Sequence, residues 1–138
     1  MGDFFVDLPV EPAAISSVTE RAQAFLEESG VDARAAHHVA LVLDELLTKV
    51  ATHGGAMEGP ASVRLGVLPD RVMGEVIDCG PPFDPRQQRR VDVSTETQER
   101  PIGGLGLLLV ARVTEGLDYA RVEGRNRTTF WIRRATSD

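Results

Sequence analysis

The apolar residues between Asp32 and His53 recur every three or four positions, and no other feature of the chain constrains its fold as strongly. Because an α-helix completes a turn in about 3.6 residues, this period places them along one helix face. Asp32 suits the N-cap, and the glycines at 54 and 55 end the pattern. We therefore predict a long amphipathic helix with one buried face, formed by Val39, Val42, Leu43, Leu46, Leu47 and Val50.

Shorter segments with apolar residues at alternate positions indicate strands. The pattern predicts strands at 4–8, 62–68, 72–77, 117–122 and 128–133, and further helices at 11–30 and 104–113. Residues 123–126 are predicted to form the turn between the last two strands. This order predicts one α+β domain over residues 1–138, a two-layer sandwich with three helices on one face of a mixed, mostly antiparallel sheet.

Composition limits the classes of partner and compartment. The chain has 138 residues and a net charge of −6, so it lacks the basic balance that nucleic-acid binding requires. Cys79 is the only cysteine, which excludes an intrachain disulfide and fits a reducing compartment. No apolar run approaches the ~20 residues that span a bilayer, and the start shows no signal-peptide pattern. We expect a cytoplasmic protein without a nucleic-acid or membrane partner.

Glu45 and Lys49 lie one turn apart on the edge of the predicted 32–53 helix. At this spacing, a surface ion pair contributes only about 0.2–0.5 kcal/mol to helix stability. Alternatively, Glu45 lies at the rim of a pocket and orients or deprotonates a nucleophile. The spacing alone is compatible with both interpretations.

Asp78 ends a predicted strand, and Gly80 follows it at a sharp turn. An aspartate at such a position often caps nearby amides as a turn former. The functional alternative is a buried carboxylate that accepts a hydrogen bond from an exocyclic amine such as that of adenine. In that case Gly80 allows the backbone to approach the ring.

Gly103, Gly104 and Gly106 open a predicted helix. Free amides at a helix N-terminus form an anion site suited to a phosphate chain. A hinge before a buried helix explains the glycines equally well. No Walker A loop or Rossmann fingerprint is present, because neither the Gly-Lys-Ser/Thr sequence nor a preceding parallel βαβ unit occurs here.

His37, His38 and His53 are the remaining candidates for metal ligands. The first two are adjacent and therefore point to different sides of the helix, and no cysteine pair assists them. We interpret all three as surface residues of the helix.

A helix carboxylate, a strand-end Asp-x-Gly, a long polar loop, a glycine-rich helix start and a threonine on the last strand occur in one order. Together they resemble the GHKL, or Bergerat-fold, ATP-binding domain, and within it the anti-sigma-factor serine kinases of the RsbW/SpoIIAB type. The resemblance covers nearly the whole chain and rests on Leu-Asp-Glu-Leu-Leu-Thr at 43–48, Ile-Asp-Cys-Gly at 77–80 and Gly-Gly-Leu-Gly-Leu at 103–107.

The resemblance implies a role for each matching residue. Glu45 becomes the catalytic carboxylate for an attacking serine hydroxyl, and Asp78 and Gly80 contact the adenine amino group, supported by the Thr128 hydroxyl. The phosphate-binding glycines are Gly103, Gly104 and Gly106. Residues 84–102 would form an ATP lid, in which Arg100 contacts phosphate or a partner.

Lys49 departs from the family pattern, which has an asparagine there that helps to hold Mg²⁺. A lysine offers only donors and cannot ligate a metal ion. Its ammonium would either take the place of the metal against the phosphates or pair with Glu45 and disable it. Alternatively, the chain is an altered copy that binds partners without catalysis.

The resemblance therefore implies ATP as cofactor, with Mg²⁺ usual in the family. It predicts a regulatory kinase that phosphorylates a serine of a STAS-type anti-anti-sigma protein and sequesters a sigma factor or another output protein. A homodimer is common in the family. The alternatives are a catalytically impaired protein-binding module on the same scaffold, and an ATP hydrolase or sensor domain of a larger signalling protein.

Overall fold

A computed structural model of the protein describes residues 3–53, 59–87 and 102–136. Its elements are β1 (Phe4–Leu8), α1 (Pro12–Glu28), α2 (Ala33–His53), β2 (Ala61–Val67), β3 (Arg71–Asp78), α3 (Ile102–Val113), β4 (Gly116–Val122) and β5 (Arg125–Arg133). All predicted helices and strands are present, and most of their ends differ from the prediction by one to three residues.

The five strands form one sheet in the order β1-β2-β3-β5-β4. Every described pair of neighbouring strands is antiparallel, whereas the sequence predicted a mixed sheet. The reason is the position of β5. Strands β3 and β4 run in the same direction and are connected through α3, but β5 lies between them and pairs with both.

The core lies between the helices and one face of this sheet. The predicted stripe of α2 is confirmed, since Val39, Val42, Leu43, Leu46 and Leu47 are buried. Alternate residues of the central strands meet it, and each fully buried aliphatic side chain contributes about 1.5–3 kcal/mol to folding. At the centre, the ring of Phe130 packs on Gly74, where a Cβ atom would overlap the ring.

The β4–β5 hairpin is tighter than predicted. Its turn consists only of Glu123 and Gly124, both with positive φ, at 53° and 78°. A two-residue turn of this kind matches the twist of the strands that it connects. The predicted turn at 123–126 is therefore wrong at Arg125 and Asn126, which belong to β5.

Asp32 caps α2 as predicted, because its Oδ2 accepts a hydrogen bond from the Ala35 amide at 3.2 Å. Its Oδ1 accepts another from the Ala135 amide at 2.8 Å. Burial opposes ionisation of this carboxyl, but the backbone amide hydrogen bonds and the nearby charge of Arg34 together outweigh burial and lower its pKa. Among the described residues, no helix combines the length and apolar character that a bilayer crossing requires.

Candidate functional site

Two groups of candidate site residues come together in the fold. The helix cluster consists of Glu45, Lys49 and Gly106, on α2 and α3. The strand cluster consists of Asp78, Asn126 and Thr128, on β3 and β5. Both lie on the helix-facing side of the sheet or in the helix layer itself.

The Glu45–Lys49 pair is not the solvated surface pair that is common at this spacing. Lys49 is only 8% exposed, and its Nζ donates to Glu45 Oε2 at 2.9 Å. It is also the only lysine among the 15 basic residues of the chain. Because lysine is almost never buried without a partner, the carboxylate of Glu45 is what allows an ammonium at this position.

Gly106 brings α3 against the same carboxylate. A Cβ atom built at Gly106 would overlap the carboxyl group of Glu45. The missing side chain therefore lets α3 approach α2 at the point where the ion pair lies. The structure thus joins two residues, Glu45 and Gly106, that are 61 positions apart and were predicted separately as site residues.

The helix cluster does not suit a divalent metal ion. Lys49 has three donors and no acceptor, and Glu45 takes one of these donors. The described residues contain no group of three His, Cys, Asp or Glu side chains that could hold a metal ion. The Mg²⁺ expected from the resemblance therefore lacks a ligand at position 49.

Asp44 adds a second carboxyl beside Glu45. Burial raises the pKa of Asp44, and the negative charge of Glu45 raises it further. Asp44 as a whole residue is exposed, so this effect is local to its own carboxyl group.

Asp78 is buried at the end of β3, with 6% of its surface exposed. Its Oδ2 accepts hydrogen bonds from the Gly80 amide at 2.9 Å and from Asn126 Nδ2 at 3.1 Å. Asp78 is therefore both a turn former and a buried carboxylate, and its contact with an exocyclic amine stays a prediction. The other oxygen, Oδ1, has no hydrogen-bond partner within the described part of the chain.

Thr128 lies on β5, on the same sheet face as Asp78. In the register, Asp78 is opposite Asn126 and Val76 is opposite Thr128, so Thr128 is the diagonal neighbour of Asp78. It is 7% exposed, and its hydroxyl has no hydrogen-bond partner among residues 3–53, 59–87 and 102–136. Two adjacent strands thus present one carboxylate oxygen and one hydroxyl that take no partner from the described residues and remain accessible on otherwise buried side chains.

Asn126 is the site residue that the sequence interpretation missed. It is 3% exposed and connects Asp78 to the strap formed by residues 79–83. Its Oδ1 accepts hydrogen bonds from Phe83 N, Arg121 Nη1 and the Tyr119 hydroxyl. One signal was available: this is the only asparagine in the chain, and it stands two positions before Thr128, on the same strand face.

Some predicted site residues and segments are not among the residues that the structure describes, or only in part. This holds for Arg100 and for most of the predicted lid at 84–102; of the lid, residues 84–87 and 102 are described. Gly103 and Gly104 fall in the first turn of α3, which begins at Ile102 rather than at Gly104 as predicted. The first amides of a helix have no intrahelical acceptor, so this placement keeps the proposed anion site at 103–106.

The histidines behave as helix surface residues where the structure describes them. His37 is exposed and His38 is half-buried. Burial lowers the pKa of His38, and the nearby charges of Arg34 and His37 lower it further. The side chain of His53 lies outside the description.

Two depressions of about 350 and 260 Å³ lie on the opposite, uncovered face of the sheet. Side chains such as Glu75, Arg127 and Trp131 line the larger one. Neither contains a predicted site residue. The volume of a depression is weaker evidence than buried polar chemistry, so we place the candidate site at the two clusters.

Comparison with known proteins identifies the family and the fold of the chain. The family model described as the histidine kinase-like ATPase domain matches residues 8–132. No curated protein sequence matches the chain.

Three solved structures have the same fold at low sequence identity. The RsbU and RsbW domains of Rv1364c from Mycobacterium tuberculosis align with a TM-score of 0.73 and 16% identity over 99% of this chain, which spans only 34% of that one. The SiaB–SiaC complex from Pseudomonas aeruginosa aligns at 0.64 and 14%, over 94% and 89% of the two chains. The histidine kinase AdeS of Acinetobacter baumannii aligns at 0.51 and 15%, over 96% and 68%. These alignments confirm the predicted α+β fold.

Proposed function

Because the chain belongs to the histidine kinase-like ATPase family, we propose that it is an ATP-binding partner-switching regulator. In this proposal it phosphorylates a serine of a STAS-type anti-anti-sigma protein and sequesters a sigma factor or another output protein in the cytoplasm. The observation that carries the nucleotide part is a pair of accessible polar atoms on β3 and β5 that no described residue pairs with: Asp78 Oδ1 and the Thr128 hydroxyl.

Asp78 and Thr128 suit adenine in particular. A carboxylate oxygen accepts a hydrogen bond from the exocyclic amine, and a hydroxyl either donates or accepts at a ring nitrogen or a bridging water. Gly80 follows Asp78 in a buried turn without a side chain, so the base can approach the backbone there.

The phosphate chain belongs at the helix cluster in this proposal. Lys49 keeps two N–H donors that no acceptor within the described residues takes up. The first turn of α3 adds backbone amides at Gly103 and Gly104. Arg100 is a further candidate for a phosphate or partner contact.

Glu45 is the proposed base. The serine hydroxyl of the partner would transfer its proton to Glu45 Oε1 while its oxygen attacks the γ-phosphorus, and ADP leaves with the electrons of the broken P–O bond. The Lys49 ammonium holds the other oxygen, Oε2, at 2.9 Å. This hydrogen bond orients the carboxylate and leaves Oε1 towards the hydroxyl.

That same ion pair favours a second candidate function. If Lys49 neutralises Glu45 permanently and position 49 holds no metal ligand, the chain is a protein-binding module without phosphotransfer. The fold similarity to a chain of the SiaB–SiaC complex, a complex of two proteins, suits both candidates. Partner affinity would then be the same with and without nucleotide.

Calorimetric titration of ATP and ADP, with Mg²⁺ and with a chelator, tests the nucleotide part. We expect ATP binding in both conditions, because Lys49 supplies the cation. Lys49→Asn should lose about tenfold in ATP affinity in chelator, since one charge-assisted hydrogen bond contributes about 1.5–3 kcal/mol, and should recover affinity with Mg²⁺. Lys49→Met is the matched control, because it removes the charge without adding a metal ligand.

The outcomes separate the candidates. If neither the wild type nor Lys49→Asn binds ATP, the proposed function is wrong. Transfer of radiolabel from γ-labelled ATP to a STAS-type protein identifies a kinase. ATP binding without transfer in either version identifies the silent module.

A further inference from the structure

We propose that Asn126 is a positioning residue that fixes the carboxylate of Asp78 and thereby selects purines with a 6-amino group over those with a 6-oxo group. The inference rests on the proposed function, because it assigns a base specificity to the same nucleotide site. Its evidence is the hydrogen-bond network around one buried side chain.

The nitrogen of the Asn126 side-chain amide contacts only hydrogen-bond acceptors, and its oxygen contacts only donors. Its Nδ2 donates to Asp78 Oδ2 at 3.1 Å and to the Pro81 carbonyl at 2.9 Å. Its Oδ1 faces only donors, which are the Phe83 amide at 3.3 Å, Arg121 Nη1 at 3.1 Å and the Tyr119 hydroxyl. Exchanging the two ends would place like groups against each other, so the orientation of the amide is determined.

This orientation determines the orientation of Asp78 in turn. Oδ2 is held by two donors, Asn126 Nδ2 and the Gly80 amide. The carboxylate cannot rotate without breaking both hydrogen bonds, and only Oδ1 remains to meet a ligand. An acceptor at this position attracts a 6-amino group and repels a 6-oxo group, whose lone pairs would face those of the carboxylate.

Only asparagine satisfies all of these partners. Aspartate at 126 would direct an oxygen at Asp78 Oδ2 and at the Pro81 carbonyl, so two acceptors would face a third. Leucine has a similar volume but leaves the donors of Arg121 and Tyr119 without the amide oxygen. In either variant, Asp78 would lose one of its two restraints, so its carboxylate could turn away from the base and would discriminate less between a 6-amino and a 6-oxo group.

A second connection keeps the strap in place when Asn126 is changed. Arg121 Nη1 also donates to the Gly80 carbonyl at 2.7 Å, independently of the asparagine. The 79–83 strap therefore remains attached to β4 in an Asn126 variant. This makes a specific effect on Asp78 distinguishable from general loss of the loop.

The test compares ATP with inosine triphosphate, which differs by carrying an oxygen in place of the 6-amino group. Calorimetry on wild type, Asn126→Asp and Asn126→Leu should show that wild type prefers ATP by roughly 100-fold. Both variants should reduce this preference to within about threefold, mainly by weakening ATP. Tyr119→Phe removes one donor to Asn126 Oδ1 and leaves Nδ2 intact, so it should reduce the preference by only about twofold.

Hydrogen exchange of the unliganded protein gives a readout that does not depend on nucleotide. The Gly80 amide should exchange at least tenfold faster in Asn126→Asp than in wild type, because its acceptor, Asp78 Oδ2, loses the restraint from Asn126 Nδ2. The Phe83 amide keeps an oxygen at the Oδ1 position as its acceptor, so its rate should change little. The exposed Arg125→Gln change, on the opposite face of β5, is the control and should leave both rates unaltered. Unchanged exchange at the Gly80 amide in Asn126→Asp overturns the positioning role even if a Leu variant fails to fold.

Different binding results would contradict the proposed function and the role of Asn126. A wild type that binds neither nucleotide contradicts the proposed function, and the base selection with it. A wild type that prefers ATP while Asn126→Asp loses equal affinity for both nucleotides contradicts only the role of Asn126, because the residue would then support the fold without acting on Asp78.

Discussion

The strand cluster and the helix cluster differ in how their charges are held. On the strands, the one charged side chain, Asp78, is restrained by neutral donors and keeps an oxygen free. On the helices, Glu45 is held by a full positive charge from Lys49. Hydrogen bonds from neutral amides fix the geometry of a carboxylate without cancelling its charge, whereas an ion pair cancels the charge. The strand cluster is thus prepared for a ligand, and the helix cluster already contains a counter-ion.

Replacing Asp78 with asparagine should give the largest effect, because it puts a hydrogen-bond donor in the strand cluster where an acceptor now faces the ligand. The Gly80 and Asn126 donors would retain an oxygen at the Oδ2 position, so the new amide nitrogen would occupy the position of Oδ1. A donor there repels the amine of adenine and attracts the oxygen of hypoxanthine. We expect ATP affinity to fall roughly 100-fold while inosine triphosphate binds better than ATP.

Titration of both nucleotides with folded Asp78→Asn protein checks this expectation. A circular dichroism melt confirms the fold. Equal ATP affinity in the variant and the wild type would show that Asp78 only forms the turn, and the adenine would then have to lie elsewhere.

A methyl group at Gly106 should give the next largest effect, and it acts on the helix cluster. In Gly106→Ala, the Cβ would overlap the Glu45 carboxyl, so the ion pair or α3 must move. The overlapped atoms are the tip of the Glu45 side chain, so the carboxyl can turn aside, and the cost is then the loss of its hydrogen bond to Lys49, about 1.5–3 kcal/mol of unfolding free energy. Urea denaturation measures it.

Gly66→Ala is the matched control, because a Cβ there meets only the Met73 Cε at 3.8 Å, an ordinary contact. Its unfolding free energy should remain within about 0.5 kcal/mol of wild type. If both variants lose the same stability, Gly106 is not a close-approach position and the joining of α2 and α3 at Glu45 is in doubt.

Most of the fold was predictable from sequence, and the reasons are local. The helix period of α2 and the alternation in β2 and β3 depend on residues close in the chain, which determine their own faces. The family was predictable as well, because three motifs occurred in one order. The strand order was not, since the insertion of β5 between β3 and β4 depends on contacts between distant segments.

The site was predictable only where its residues carry a local signature. Asp78 and Gly106 stand in short motifs and were found. Asn126 was assigned to a turn, because asparagine is a common turn residue, but Glu123 and Gly124 complete that turn without it. The burial of Lys49 was also missed, since an i,i+4 pair looks the same in sequence on a surface and in an interior.

A smaller effect is expected from Thr128→Val, which keeps the shape of the side chain and removes its unpaired hydroxyl. ATP affinity should fall about three- to tenfold, in line with one neutral hydrogen bond of 0.5–1.5 kcal/mol. Stability should not decrease, because valine suits a buried strand position.

Thr129→Val is the control for this change. Thr129 is the next residue of the same strand, and its side chain lies on the opposite face of the sheet. Its ATP affinity should equal that of wild type. A loss of the same size in both variants would indicate a general effect on β5 and not a contact with the base.

The smallest effect concerns Asp44 and tests whether negative charge is costly beside Glu45. Its pKa is raised in the folded protein, chiefly by burial and then by the charge of Glu45. A raised carboxyl pKa means that the folded state holds a proton more tightly than the unfolded state. Stability attributable to Asp44 therefore falls as pH rises from about 3.8 through the folded pKa, and the loss persists at neutral pH.

Asp44→Asn removes this dependence, so the variant should have a slightly higher midpoint of urea unfolding than wild type at pH 7 and the same midpoint near pH 4. Glu20→Gln, at an exposed position of α1, should shift neither midpoint. A variant less stable than wild type at pH 7 would mean that the Asp44 charge is favourable where it lies. In that case the cation of Lys49 would extend its influence beyond Glu45, and the helix cluster would be an ion network with three members instead of a pair.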